Sequence, residues 1–492
     1  MTTLARTARM SICRGVILTL AIAIIGHGAN AEEARIDRRN VDFVAHWAAR
    51  ATLANAVMFS GLGEPLSMSM ATRDAILKRA GYIARPAMPD MAMVGAVYAG
   101  GDPSLGEPPD FSRPNSLRWK PQSFDRTLDP VAQAWTLIKI SSPGFHLNFH
   151  DTKEDKRIAL VMLPQAEVQA DVLVGRLLTA HGLFASGGVD GSWSEPRPRD
   201  QAVALWAISN LILAATSVHN DYWHKAWREL IDADDYRRLA DRSFDAVSAL
   251  PPQSAVDRAF AIEALGRYAL VTNDAAPRAR ALKLARVHAD ALRQMQGQAI
   301  EDIAIAVYGL VEAGRLLDDD GYGEAAVTLF REALLPAWDD RLGVFRTGEP
   351  IRYTSFIAAT VAAALNAMRW YGPRDLAEQA EGLYPSFLDT VLIEAGLMQS
   401  SPALLIPAAY RGRGSVDVFE RVSLPSPVEA GRAPVFAGEV QFKQGAWRVT
   451  DRTFRTADAM FLANMLVMPH EGQADAFLPA DRLSTLSRQV NP

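Results

Sequence analysis

The sequence is poor in cysteine, with Cys13 as its single example in 492 residues. Cys13 precedes the apolar stretch VILTLAIAII, whereas a lipoprotein needs its cysteine after such a stretch, so a lipid anchor is not expected there. A single cysteine also rules out a disulfide within the chain. The hydrophobic core must therefore supply the stability, and a chain of this length can bury a large one.

Long hydrophobic runs are missing as well. The apolar stretch, residues 16–25, is about half the length that a membrane-spanning helix needs, and no later stretch is long and apolar enough. Three arginines precede it and Ala29-Asn30-Ala31 follows it, an arrangement typical of a secretory signal peptide. We predict a signal peptide over residues 1–31, cleaved after Ala31, and a periplasmic or secreted mature protein without a membrane span. An uncleaved N-terminal anchor is the alternative.

Excess positive charge and familiar catalytic motifs are absent too. Without residues 1–31, which carry three arginines and no acid, 48 basic residues face 56 acidic ones, a net charge of −8. Such a balance gives no support for a nucleic-acid partner. The sequence has no G-x-S-x-G, H-E-x-x-H, P-loop or dinucleotide fingerprint. We therefore predict no cofactor and no metal.

What the sequence does contain is a succession of helix-like stretches, from residue 157 to residue 470. Amphipathic stretches alternate with stretches that are apolar nearly all round, and the first kind is expected to cover a core in which the second is buried. Pairing each covering helix with the next apolar one gives five hairpins: 165–181 with 201–218, 222–248 with 254–271, 276–295 with 300–317, 322–336 with 355–371, and 374–397 with 456–468. Stretches near 40–60 and 130–142 can supply a sixth.

This alternation resembles the (α/α) toroid, the six-hairpin barrel of many glycosidases, polysaccharide lyases and terpenoid cyclases. The resemblance implies an all-α fold, an (α/α) hairpin toroid with long loops and a small β-hairpin on one face. An open α-solenoid is the alternative. We assign residues 32–156 to an N-terminal helical and extended region, and residues 157–492 to the toroid domain with a loop and β-hairpin insertion at 398–455.

Three connections from a covering helix to an apolar helix are long: 182–200, 337–354 and 398–455. In a ring of hairpins all such connections lie at one end, where the apolar helices begin. Long loops on a rigid scaffold often carry function, and helix N-termini favour anionic or polyhydroxylated ligands. The alternation in 439–449 predicts a β-hairpin in the last loop.

These loops supply the candidate site residues. Two carboxylates can act as acid and base on a sugar, aromatic rings can stack on it, and arginines can hold an anionic group. The catalytic candidates are Glu195 or Asp200 together with Glu349, and Tyr353 as the proton donor of a lyase. The substrate-binding candidates are Trp193 and Trp447 for stacking and Arg346, Arg352 and Arg455 for an anionic group. The structural alternatives are a helix cap for Asp200 and a barrel plug for Trp193.

The sequence thus predicts an exported carbohydrate-active hydrolase or lyase that acts on an oligo- or polysaccharide, with a carbohydrate or another small polar or anionic molecule as its ligand. A non-catalytic helical binding or scaffold protein is the first alternative. The second is a copper-handling protein that uses the methionines at positions 58, 68, 70, 88, 91 and 93. His146 and His150 could share a metal, but no third ligand is identifiable.

Overall fold

The computed structural model describes residues 36–66, 93–106, 114–142, 153–188, 191–217, 227–228, 231–295, 299–402 and 424–467. The predicted signal peptide, four of the six clustered methionines (Met68, Met70, Met88 and Met91) and the histidine pair lie outside the described residues. All described residues belong to one compact unit.

Twelve helices of ten or more residues alternate between an outer and an inner layer in the described part of the chain. In order they are α1 (Val41–Ala54), α2 (Pro130–Ser141), α3 (Lys153–Arg176), α4 (Pro198–Thr216), α5 (Ala233–Ala249), α6 (Ala255–Val271), α7 (Ala275–Arg293), α8 (Ile300–Leu317), α9 (Asp320–Leu329), α10 (Ser355–Tyr371), α11 (Arg374–Leu388) and α12 (Thr456–Met465). Odd numbers are outer helices and even numbers are inner ones. The predicted alternation of outer and inner helices is confirmed, with six of each, including the pair near the N-terminus. The predicted pairing of each outer helix with the inner helix that follows it is wrong, because the outer helices pack chiefly on the inner helix that precedes them.

The inner helices begin at strong sequence signals. Asp129 caps α2, its Oδ1 accepting from the backbone N–H groups of Val131 and Ala132, and Pro130 occupies the first helical position. Ser254 caps α6 by accepting from the N–H of Asp257. Such caps satisfy backbone donors that have no partner within the helix. Because α4 is buried along nearly its whole length, all of its faces are apolar.

The inner helices form a closed ring. Each inner helix packs against the next one in sequence, from α2 to α12, and α12 packs against α2. Each outer helix from α3 onward covers the inner helix that precedes it, and α1 covers α12. The fold is therefore an (α/α) toroid, and the solenoid alternative is wrong because the two ends of a solenoid do not meet. Since α1 and α2 complete the ring, the toroid begins at α1 rather than at residue 157.

Short strands gather at the end of the ring where the inner helices begin. One sheet has the order β1 (Gly63–Pro65), β2 (Val94–Gly101), β3 (Asp125–Leu128), with β9 (Phe454–Arg455) also paired to β2. A second pairs β4 (Trp338–Asp339) with β5 (Val344–Phe345), and a third has the order β6 (Ile351–Thr354), β7 (Glu439–Lys443), β8 (Ala446–Asp451). All pairs are antiparallel.

The third sheet contains the predicted hairpin. β7 and β8 are joined by Gln444-Gly445, and both residues have positive φ angles, 55° and 80°, as tight hairpin turns require. β6 belongs to the loop 337–354, whereas β7 belongs to the loop 398–455. Two of the three long connections therefore meet on one face, as the sequence predicts.

Candidate functional site

A small pocket, with a cavity volume of about 90 Å³, opens where the inner helices begin. Five of the six inner helices, or the residues just before them, contribute to its lining, the exception being α8. This volume lies below the range usual for small-molecule sites, about 300–1,000 Å³, so the pocket can take part of one sugar ring rather than a whole disaccharide.

Aromatic side chains form the floor of the pocket. The Trp135 ring packs edge-to-face on Phe260, with centroids 5.2 Å apart, and tilted on Phe461, 4.9 Å away. Phe356 is half-buried and lies 5.5 Å from Phe461. Each such pair adds about 0.5–1.5 kcal/mol beyond the area it buries, which keeps the floor rigid.

One wall of the pocket is a network centred on Arg197. Its Nη2 donates to Asp129 Oδ2 at 2.8 Å and to Asp200 Oδ1 at 2.6 Å. Asp129 Oδ2 also accepts from the Ser186 hydroxyl at 3.0 Å, and both acceptor oxygens of Asp129 are thereby engaged. The ion pairs raise the pKa of Arg197 despite its partial burial. This wall is a fixed structure with a net charge of −1 when every group is ionised.

Arg199 stands on the second wall. Its Nε donates to Asp257 Oδ1 at 3.1 Å, and its guanidinium carbon lies 5.2 Å from the centroid of Phe356 and 6.0 Å from that of Phe260. Among the described residues its two terminal nitrogens have no hydrogen-bond acceptor. Arg199 therefore presents oriented donors to a ligand on the aromatic floor.

Asp458, in the first turn of α12, has the least compensated charge in the pocket. Its carboxyl group has no hydrogen-bond or ion-pair partner within the described ranges. Burial raises its pKa, and the negative charge of Asp129 adds to the rise, while the charges of Arg455 and Arg199 oppose it. A carboxyl of this kind can hold a proton and deliver it to a ligand.

Asp129, Asp257 and Asp458 are not among the site residues predicted from the sequence. A signal for two of them exists, because Asp257 and Asp458 occupy the third position of an inner helix, as do Asp200 and Asp302. The same position attracts acidic residues for capping alone. The pattern therefore indicates the end of the ring where the pocket lies, but it does not distinguish an aspartate that caps a helix from one that donates a proton.

The carboxylates predicted to be catalytic lie elsewhere. Asp200 is fully buried behind Arg197, and it accepts from the Arg197 backbone N–H at 3.0 Å, so the structure gives it the capping role. Burial raises its pKa, which its bonds to Arg197 oppose. Glu195 is exposed, and Glu349 is exposed with Arg346 Nη1 at 3.2 Å. Neither lines the pocket.

Tyr353 is fully buried, and its hydroxyl donates to the Phe345 carbonyl at 2.6 Å. Burial raises its pKa further above the ordinary value. A phenol sealed in this way is not accessible to a substrate, so the role of proton donor does not fit its position. The physical reason is the side-chain alternation of β6, which turns Tyr353 inward and Arg352 outward.

The three predicted substrate-binding arginines each have a carboxylate partner. Arg346 pairs with Asp339 and Glu349, Arg352 Nε lies 3.6 Å from Glu439 Oε2, and Arg455 Nη2 lies 2.8 Å from Asp451 Oδ2. None of them lines the pocket. Arg455 still influences the pocket, because its positive charge opposes the rise in the pKa of Asp458.

The two predicted stacking residues differ. Trp193 is 50% exposed, and its ring lies over Gly187. Gly187 forms a strand bridge with Leu128, the residue before Asp129, so the Trp193 ring lies near that end of the pocket. It remains available for stacking at the rim. The Trp447 ring packs 5.3 Å from Phe442 and 6.4 Å from Tyr353, as part of the small core of the third sheet.

The described residues contain no group of three or more His, Cys, Asp or Glu side chains that could hold a metal ion. Of the clustered methionines, Met58 is buried among core residues. Within the same ranges, no helix combines the length and apolar character needed to cross a membrane.

No protein-family model and no curated protein matches the sequence. Similar solved structures include a D-mannose isomerase (11% identity, 81% of this chain and 98% of that chain, TM-score 0.48), the cellobiose 2-epimerase from Bacillus thermoamylovorans B4167 (10%, 75% and 92%, 0.45) and a cellulase of C. cellulolyticium in complex with cellobiose (10%, 89% and 98%, 0.45). The toroid assignment itself rests on the closed ring of inner helices.

Proposed function

We propose that this protein is a carbohydrate-active enzyme whose active site is the pocket at the start of the inner helices, with Asp458 as its general acid. The observation that carries the proposal is an unpaired carboxyl group with a raised pKa beside an aromatic floor. A general acid works best when its pKa approaches the working pH, and burial moves Asp458 in that direction.

The remaining pocket groups suit a sugar. The half-buried ring of Phe356 offers an apolar surface to the carbon face of a pyranose, and the free donors of Arg199 can bond its hydroxyl or ring oxygens. Such contacts would hold a glycosidic oxygen within reach of the Asp458 proton. The floor excludes water from one side and thereby strengthens every polar contact made above it.

Asp129 would serve as a fixed negative charge. Its two oxygens accept four hydrogen bonds, from Val131, Ala132, Ser186 and Arg197, so it is poorly placed to accept a proton. A carboxylate held in this way can stabilise the positive charge that develops on a sugar ring as its glycosidic bond breaks.

Hydrolysis is the reaction that we favour among those predicted, because the sealed Tyr353 removes the proton donor proposed for a lyase. The small pocket favours the end of an oligo- or polysaccharide chain, of which part of one ring can enter. Export is part of the proposal through the signal-peptide pattern of residues 1–31.

The test is a glycan turnover screen on purified protein, followed by Asp458→Asn. The matched control is Asp302→Asn, since Asp302 occupies the same helical position in α8, has its pKa raised by burial, and is not among the residues that line the pocket. We expect Asp458→Asn to lower kcat/KM about 100-fold or more at an unchanged Tm, and Asp302→Asn to retain turnover. Equal losses in both variants would contradict the assignment.

A non-catalytic binding protein is the second candidate. The observation in its favour is that Asp129 is saturated with donors, which leaves Asp458 as the one unpaired carboxylate that lines the pocket in the described part of the chain. Binding of glycans without turnover, retained in Asp458→Asn, would support this candidate instead.

A further inference from the structure

The charges around the pocket do not favour an anionic ligand. The carboxylates of Asp129, Asp200, Asp257 and Asp458 surround only two guanidinium groups, those of Arg197 and Arg199. With every group ionised, the pocket and its supporting residues have a net charge of −2, and a proton on Asp458 reduces it to −1. The charge of Arg455 also acts on Asp458, but its ion pair with Asp451 adds one positive and one negative charge, so the net charge of the wider group stays the same.

The arginines outside the pocket do not alter this conclusion. Arg346 and Arg352, which the sequence suggests as ligands for an anionic group, are each paired with carboxylates of their own loops or strands. A carboxylate on a sugar would therefore have to displace an existing ion pair. It would gain little, because the displaced acid would be left without its partner.

We propose that the site selects uncharged sugars and rejects uronic acids, an inference that rests on the proposed function. A uronate carboxylate in the pocket would lie near Asp129 and Asp458, above a floor that keeps water away, where like charges repel strongly. The terminal donors of Arg199 have an uncharged alternative in the hydroxyl and ring oxygens of a neutral sugar.

Asp257 is the specificity-determining residue in this proposal. It does not line the pocket, but its bond to Arg199 Nε both orients the guanidinium group and neutralises its charge. Replacement by asparagine keeps an oxygen acceptor for Nε and removes the negative charge. Arg199 would then offer an unbalanced positive charge to a ligand and accept a carboxylate more readily.

The experiment measures the binding of sugar pairs that differ only at C6, namely glucose and glucuronate, galactose and galacturonate, and mannose and mannuronate. Titration of the purified protein should show at least one neutral sugar binding about tenfold or more tightly than its uronate. Asp257→Asn should narrow that ratio about tenfold. Asp234→Asn, which removes an acid paired with Arg237 at the start of outer helix α5, should leave the ratio unchanged.

Two outcomes would overturn the proposal in distinguishable ways. If uronates bind the unmodified protein as tightly as their neutral partners, or if the ratio is the same in Asp257→Asn, the charge argument is wrong and the proposed function stands. If none of the six sugars binds, this inference fails, and the proposed function fails with it when the glycan screen also shows neither turnover nor binding. A Tm measurement on both variants verifies that they fold.

Discussion

Replacing Asp200 by asparagine separates a capping role from a catalytic one. The carboxylate accepts from Arg197 Nε at 3.0 and 3.1 Å, from Nη2 at 2.6 Å and from the Arg197 backbone N–H at 3.0 Å. Asparagine keeps one acceptor for the backbone N–H, but its amide donors face the guanidinium donors. The substitution therefore removes a charge-assisted pair whose acidic side is fully buried.

The expected cost follows from this geometry. Truncating one partner of a buried ion pair costs about 3–5 kcal/mol. We expect a smaller loss of unfolding free energy here, about 2–3 kcal/mol, for two reasons. Arg197 keeps its bond to Asp129 and has a side chain that is 52% exposed. The raised pKa of Asp200 also means that burial already penalises its charge. Unfolding roughly 460 residues at about 2.1 cal/mol/K each gives an entropy near 1 kcal/mol/K, hence a Tm lower by about 2–3 °C.

Differential scanning calorimetry and turnover on the substrate found in the glycan screen provide the assay. A structural Asp200 predicts a lower Tm with turnover that falls by less than about tenfold, because Asp129 still holds Arg197 in place. The combination of an unchanged Tm and a loss of turnover of about 100-fold or more would refute this reasoning and restore Asp200 as a catalytic candidate.

Three further substitutions have defined outcomes. Burial raises the pKa of Glu312 from 4.5 to about 7, so the folded protein binds a proton that the unfolded chain lacks, and stability falls as pH rises across that window by up to about 3 kcal/mol. Glu312→Gln should remove this fall of the unfolding free energy with pH, measured by urea unfolding at a series of pH values. Buried His288, whose pKa is lowered to about 4, makes the unfolding free energy rise with pH in both proteins. Tyr353→Phe should cost about 1 kcal/mol through the lost bond to Phe345 with unchanged kcat/KM; a large kinetic loss would contradict the packing role. Trp193→Ala should change the unfolding free energy by less than about 0.5 kcal/mol and weaken glycan binding several-fold by titration, whereas unaltered binding would exclude it from the site.

The sequence alone determined most of the secondary structure of the toroid. Amphipathic and all-apolar helices can be distinguished because burial on one face or on all faces leaves a periodic pattern in consecutive residues. The start of α2 is marked by Asp129-Pro130, and the β7–β8 turn by Gln444-Gly445, since caps and tight turns depend on residues only a few positions apart. The convergence of the loops 337–354 and 398–455 follows from the same alternation of helices.

Only the tertiary structure decided whether the ring closes and which acids face the pocket. The packing of α12 on α2 joins segments more than 300 residues apart, which no local pattern records. Asp200 and Asp458 occupy the same position of an inner helix, yet one is sealed against Arg197 and the other stands unpaired in the pocket among the described residues. That difference depends on how each helix is rotated and on which neighbour lies beside it, and both are set by packing across the ring.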